Sequence, residues 1–300
     1  CMRRLAGRGW TATGTVAVSG TGTTTRTVTI SGISGNGTLG ISIAAGTASN
    51  GSGSAPAAGP SATFTVDNAA PTVSIGAPST TLTRGGPVSF TVTYGGASSV
   101  SLAAGDVTLN ATGTATGTVS VSGTGTTTRT VTIGSISGNG SLGISIAAGT
   151  ASDAAGNLAP GAGPSATCAV DNTAPTVSIG VPSTTLTRSG PLSFTITYSG
   201  ASDVSLAAGD VTLNTTGSAT GTVGVTGTGT TTRTVTISSI TGNGTLGISL
   251  AAGTATDAAG NLAPAAGPSA TCTVDNTPPT ISIGAPSATS TRTGPITFTV

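Results

Sequence analysis

A near-identical block recurs along this chain, and its length restricts the fold more than any other feature. Val66-Asp67-Asn68 returns as Val170-Asp171-Asn172 and again as Val274-Asp275-Asn276, 104 residues apart each time. The stretch Gly20–Ile30, GTGTTTRTVTI, returns unchanged at Gly123–Ile133 and Gly227–Ile237. The first copy is one residue shorter, in the loop near Asn50–Pro56. The chain therefore divides into residues 1–10, which match nothing in the repeat, then the rear part of one repeat (11–68), two complete repeats (69–172 and 173–276) and the opening of another (277–300). It reads as a fragment of a longer array, entered inside one domain and left inside a strand at Val300. Solenoid coils repeat every ~20–50 residues, so a unit of this length is a separate globule instead.

Each unit carries short runs of period two. Val73 and Ile75 alternate with polar neighbours, and Val88, Phe90, Val92 and Tyr94 share one face of a second run. Val100 and Leu102, Val107 and Leu109, Val119 and Val121, and Val131 and Ile133 follow. Leu142, Ile144 and Ile146 alternate with Gly143 and Ser145, and Ala166, Cys168 and Val170 close the unit. Seven or eight such runs, each with one apolar face, predict two packed layers of antiparallel strands. Asn139-Gly140, with its copies Asn36-Gly37 and Asn243-Gly244, predicts a tight hairpin that uses positive φ. Pro175, just past Asp171-Asn172, stiffens the boundary and keeps adjacent sheets apart.

Composition agrees and excludes several functions. Only 6% of residues are charged and 2% aromatic, the net charge is +1, and His, Glu, Lys and Gln are absent. Thr and Val favour strands and Gly favours turns, whereas disordered chains are charged and poor in β-branched residues. The near-neutral balance offers no field for nucleic acid or an anionic membrane. No apolar run approaches the ~20 residues that span a bilayer, so membrane insertion of this segment is not expected. Met2-Arg3-Arg4 resembles a signal-peptide start, but no apolar stretch follows it. Cys1 has the position of a lipidated first residue, though residues 1–10 read more simply as a fragment end. General acid–base chemistry would fall to Asp alone, and the Asp residues recur at separate loop positions, so no catalytic residue is assigned. Gly-x-Gly triplets such as Gly20-Thr-Gly22 lie between strands and are turns, not nucleotide loops.

The phrase Thr-Ala-Ser-Asp153-Ala-Ala-Gly156-Asn157, followed by Ala-Val-Asp171-Asn172-Thr-Ala-Pro175, resembles the close of bacterial immunoglobulin-like repeats, as does Val100-Ser-Leu-Ala-Ala-Gly-Asp106-Val-Thr-Leu109. The resemblance runs from about residue 11 onwards. It implies an all-β fold of tandem immunoglobulin-like β-sandwich domains, beads on a string. It also implies a place on the bacterial cell surface or outside the cell, within large adhesin-like or biofilm proteins. The function expected is a non-catalytic spacer or stalk whose partners are the neighbouring repeats of its own chain. The alternatives are an adhesion module in which each repeat binds host or matrix glycans or proteins, and an accessory region of a large secreted enzyme. The first copy departs from the pattern, with Asn50 in place of the Asp and the Ala-Gly-Asn lost.

The sharpest candidate site is for calcium, which takes six to eight oxygen ligands. Asp153 and Asn157, with Asp171 and Asn172, would converge near one end of a domain, and Asp257, Asn261, Asp275 and Asn276 repeat the set. The competing reading, preferred because carboxylates are few and Glu is absent, is that these residues close turns on their own backbone. Arg129 and its copies Arg26 and Arg233 share the parity of Val131 and Ile133; a solvated or Asp-paired Arg is preferred over a ligand contact. Arg84 and Arg188 read as solvated turn charges. Cys168 and Cys272 stand where the first copy has Phe64, which marks a core position, and they belong to separate cores, so no disulfide is expected. The Thr-x-Thr run Thr128–Thr132 reads as a solvated strand face, since twisted sheets suit ice poorly. Asn110-Ala-Thr112 and Asn214-Thr-Thr216 are glycosylation sequons.

Overall fold

The computed structural model describes residues 11–300; Cys1 and Met2-Arg3-Arg4 lie outside the described residues. The chain forms two compact units, Cys1–Asp171 and Asn172–Val300. Both are all-β, and the only helices among the described residues are the single 3₁₀ turns Ala104–Asp106 and Ala208–Asp210.

In the first unit, residues 72–170 build two four-stranded sheets. One runs Thr116–Ser122, Thr128–Ser137, Val88–Gly95, Thr72–Ile75, all antiparallel. The other runs Val107–Gly113, Gly140–Ile146, Cys168–Val170, Leu82–Thr83, and its last pair is parallel. Successive side chains of a strand point to opposite faces, so each period-two run sends its apolar members one way. Val88, Phe90, Val92, Tyr94, Val131 and Ile133 of the first sheet meet Leu142, Ile144, Ile146, Cys168 and Val170 of the second in one core. The result is a β-sandwich-like body. Thr91, Thr93, Thr128 and Thr130, of the opposite parity, face solvent.

Residues 11–66 hold the equivalents of the later strands only: Thr13–Ser19 with Thr27–Ser34, and Gly37–Leu39 with Phe64–Val66. Phe64 is accordingly 44% exposed, where its counterpart Cys168 is 0%.

The second unit repeats the arrangement. Its sheets run Thr176–Pro182, Leu192–Ser199, Thr232–Thr241, Thr220–Thr226 and Leu186–Thr187, Cys272–Val274, Gly244–Leu250, Val211–Thr215. Leu192, Phe194, Ile196, Val235, Ile237, Leu246 and Ile248 are its innermost side chains. From Gly284 onwards, the amide N–H of Gly284 donates to the Thr299 carbonyl, as that of Gly76 does to Thr91.

Two local features depart from simple alternation. Between Gly134 and Ser137 the strand Thr128–Ser137 has a bulge, with Thr118 opposite Gly134 and Thr116 opposite Ser137. Ser135 takes φ 49°, and the extra residue turns Ile136 rather than Ser135 into the core. The hairpin at Asn139-Gly140 also differs from the expectation. Its positive φ values fall on Gly138 (79°) and Gly140 (145°), not on Asn139. Asn139 is held instead by the 113–115 segment: the Thr114 N–H donates to its carbonyl at 2.8 Å, and its own N–H donates to Thr114 Oγ1 at 2.9 Å.

Gly117 faces the bulge, where a Cβ would stand 2.6 Å from Ile133 Cγ2; at Gly105 it would meet nothing. Gly117→Ala should therefore lower the unfolding free energy by about 1–3 kcal/mol, the usual cost of overpacking. Gly105→Ala should leave it within about 1 kcal/mol of the parent. Urea unfolding of both variants checks this.

Candidate functional site

The calcium candidates sit on the loops at the two ends of each sandwich, and the β-ladders fix which end. In the first unit Val170 pairs with Gly140 at one end of the strand Gly140–Ile146, and Ala162 bridges to Ile146 at the other. The strand places about 20 Å between these ends, at ~3.3 Å per residue. Asp171 follows Val170, and its N–H donates to the Thr83 carbonyl at 3.0 Å. Asp153 and Asn157 lie in the loop beyond Ile146. The calcium set expected at one end of the domain, Asp153 and Asn157 with Asp171 and Asn172, is thus split: Asp171, with Asn172 next in the chain, belongs to the opposite end. In the second unit, Asp257 and Asn261 are separated from Asp275 and Asn276 in the same way, because Val274 pairs with Gly244 and Ala266 with Leu250. Among the described residues, no three acidic, Cys or His side chains come together as a metal group.

Asp153 is engaged by its own loop. Its Oδ1 accepts the N–H of Ala155 and of Asn157, both at 2.9 Å, and its Oδ2 accepts Asn157 Nδ2 at 2.8 Å. The second unit has the same set, with Ala259 N and Asn261 N on Asp257 Oδ1 at 2.9 and 2.8 Å and Asn261 Nδ2 on Oδ2 at 2.8 Å. This is the turn closure that short Asp and Asn side chains make without an ion. The Asn157 side-chain bond, aided by the backbone donors and opposed by burial, holds the Asp153 carboxyl below the ordinary 3.8. Burial acts first on Asp257, but the Asn261 and backbone bonds outweigh it and the net direction is again down.

The junction residues pair elsewhere. The Asn68 N–H donates to Asn36 Oδ1 at 2.6 Å, and its Nδ2 donates to the Gly35 carbonyl at 2.7 Å. Asn276 does the same with Asn243 and with Gly242, the latter at 2.6 Å. Asp67 and Asp275 turn the chain after the Val by accepting the N–H two residues on, from Ala69 at 3.0 Å and Thr277 at 2.9 Å. Asn157 Nδ2 also donates to the Asp67 carbonyl at 2.9 Å. Sequence reasoning missed these pairings. The only signal was that the hairpin Asn (Asn36, Asn139, Asn243) and the junction Asn (Asn68, Asn172, Asn276) each recur once per repeat.

Arg129 corrects an expectation. It is neither solvated nor paired with a loop Asp; it is 9% exposed, and its guanidinium serves backbone carbonyls. Nη1 donates to Gly125 and Thr128 at 2.8 and 2.9 Å, and Nη2 donates to Val100 at 3.0 Å. Arg233 repeats this on Gly229, Thr232 and Val204. Arg26 is exposed, and among the described residues its guanidinium donates to the local carbonyls of Gly22 and Thr25. The five donors of a guanidinium let one side chain tie a turn to a second strand. Arg84 and Arg188 are exposed in their turns. Tyr94 and Tyr198 hydrogen-bond Thr150 and Thr254 at 2.9 Å in the interior. Cys168 and Cys272 are buried free thiols in separate cores, and burial pushes both above their ordinary value. Asn110 and Asn214, the sequon residues, donate to Ser145 and Ser249 Oγ at 2.7 and 2.8 Å, so a glycan there would have to displace these bonds.

A carboxyl with a depressed folded value stabilises the fold above its unfolded value and loses that contribution as pH falls through the folded one. The melting midpoint should drop on acidification below pH 3.8, and Asp153→Asn with Asp257→Asn should flatten that drop. At neutral pH the midpoint should be the same in calcium and in chelator, because protein donors already occupy the carboxylates. Calorimetry across pH, with and without the ion, checks both.

Compared with known proteins, the chain matches no family model and no curated protein sequence, so a functional reading has to stand on the repeat and the geometry alone.

Proposed function

We propose that this chain is a non-catalytic spacer: a run of tandem immunoglobulin-like domains of bacterial type, from the stalk of a cell-surface or secreted adhesin-like protein, extending a binding domain away from the cell. The observation that carries the reading is the recurrence of one body. Residues 69–172 and 173–276 close separate cores from equivalent residues, Phe90 and Phe194, Ile133 and Ile237, Leu142 and Leu246. Duplicating a unit that folds around its own core adds length without a new folding problem.

Other features fit the same reading. The opening segment of the first complete repeat divides between the sheets, Thr72–Ile75 on one and Leu82–Thr83 on the other, and so ties the two layers together, which supports a self-contained domain. The polar loop residues are engaged in turn closure and junction contacts, which suits a structural role better than acid–base chemistry. No helix among the described residues is long and apolar enough to cross a membrane. The expected partners are the neighbouring repeats, and the expected location is outside the cell.

Small-angle scattering of the 300-residue chain tests the spacer. A compact globule of that length has a radius of gyration of about 19 Å. A string of separate domains should give a value well above this and a skewed distance distribution; a value near the compact figure would count against the reading.

A further inference from the structure

We infer that the Asp153–Asn157 loop couples its repeat to the copy before it: Asn157 grips the segment that leaves that preceding copy. The loop and that segment are 90 residues apart in sequence, yet Asn157 Nδ2 donates to the Asp67 carbonyl at 2.9 Å. The same amide nitrogen donates to Asp153 Oδ2 at 2.8 Å, so both of its protons are committed. Asp153 also accepts the Asn157 backbone N–H, which fixes the loop before it meets its partner. Little ordering entropy then remains to be lost when the contact forms.

The partner surface is equally defined. Asp67 accepts the Ala69 N–H and sets the turn, which presents its carbonyl forward. Asn68 faces backward, donating to Asn36 Oδ1 and to the Gly35 carbonyl in the hairpin of the preceding copy. Two successive linker residues thus hold one domain on each side. A slack tether would leave these groups to water.

The first copy separates loop-forming from coupling. It has Asn50 where the later copies have Asp, lacks the Ala-Gly-Asn, and still closes a hairpin, with Ser49–Asn50 paired to Gly53–Ser54 and Ser52 N–H on Asn50 Oδ1 at 2.9 Å. The position can therefore make a turn without the Asp and Asn pair. What Asp153 and Asn157 add is the outward-directed amide. Its chemistry is that of a neutral donor on a peptide carbonyl, so the coupling should withstand salt and chelators, unlike an ion-bridged joint.

The inference stands on the observed contact and not on the spacer reading; a compact scattering profile would leave it intact. Hydrogen exchange on the whole chain, comparing the parent with Asn157→Ala, tests it. Linker amides over residues 66–70 should exchange about two- to tenfold faster, the effect of one net hydrogen bond, with the protection of Val88–Tyr94 unchanged. Unchanged linker exchange in a folded variant would overturn the inference. So would an equal loss of protection in the core, which would make Asn157 a residue of its own domain's stability. If Asn157→Ala does not fold, Asn157→Ser, whose single hydroxyl proton cannot serve both Asp153 Oδ2 and the Asp67 carbonyl, gives the same two outcomes.

Discussion

Burial of aliphatic side chains between two four-stranded sheets is the interaction on which each repeat depends. The core has one Phe and one Tyr per complete repeat and is otherwise Val, Ile, Leu, Ala and Cys. At about 25 cal/mol per Å² of apolar surface, such side chains stabilise the fold only when several strands deliver them to one place together. Their position follows from strand parity, so register is the critical variable. A slip of one residue in Val88–Gly95 would turn Val88, Phe90, Val92 and Tyr94 to solvent. The bulge at Ser135 and the close fit of Gly117 under Ile133 help fix that register, and both recur at Ser239 and Gly221.

A chain with so few charges must satisfy its polar groups by other means. Backbone carbonyls that end the strands are served by the guanidiniums of Arg129 and Arg233, strand amides by hydroxyls, and loop amides by short carboxylates. Ser165 Oγ, for example, accepts the Ile144 N–H at 2.9 Å while donating to the Ala166 carbonyl at 2.7 Å. No buried side-chain nitrogen or oxygen lacks a partner among the described residues. Each repeat therefore carries its own polar closure along with its own core. A unit complete in both respects can be copied in tandem.

The layers were legible in the sequence because period two is a local signal. The inward positions of Val88–Tyr94, Val131, Ile133 and Leu142–Ile146 follow from it directly, and the Phe64/Cys168/Cys272 exchange marked a core site. What period two does not carry is which loops share an end of the sandwich. That depends on the pairing of Gly140 with Val170 and of Ile146 with Ala162, contacts between runs distant in sequence. Hence Asp153 and Asp171 were grouped although the fold separates them, and the Asn68 and Asn157 contacts went unseen. Arg129 was read as solvated or paired with a loop Asp because its type favours the surface. Its inward parity was the better guide, and the unpaired carbonyls of a Gly-rich turn explain why a cation can sit there.

The central claim is that every complete 104-residue unit closes its own core and opens as one event. Single-molecule stretching of the whole chain measures this directly. Two equal extension steps should appear, each releasing roughly 340–370 Å of chain less the folded span, from about 104 residues at ~3.3–3.6 Å each. One large step across both units, or a gradual release with no discrete steps, would contradict the account.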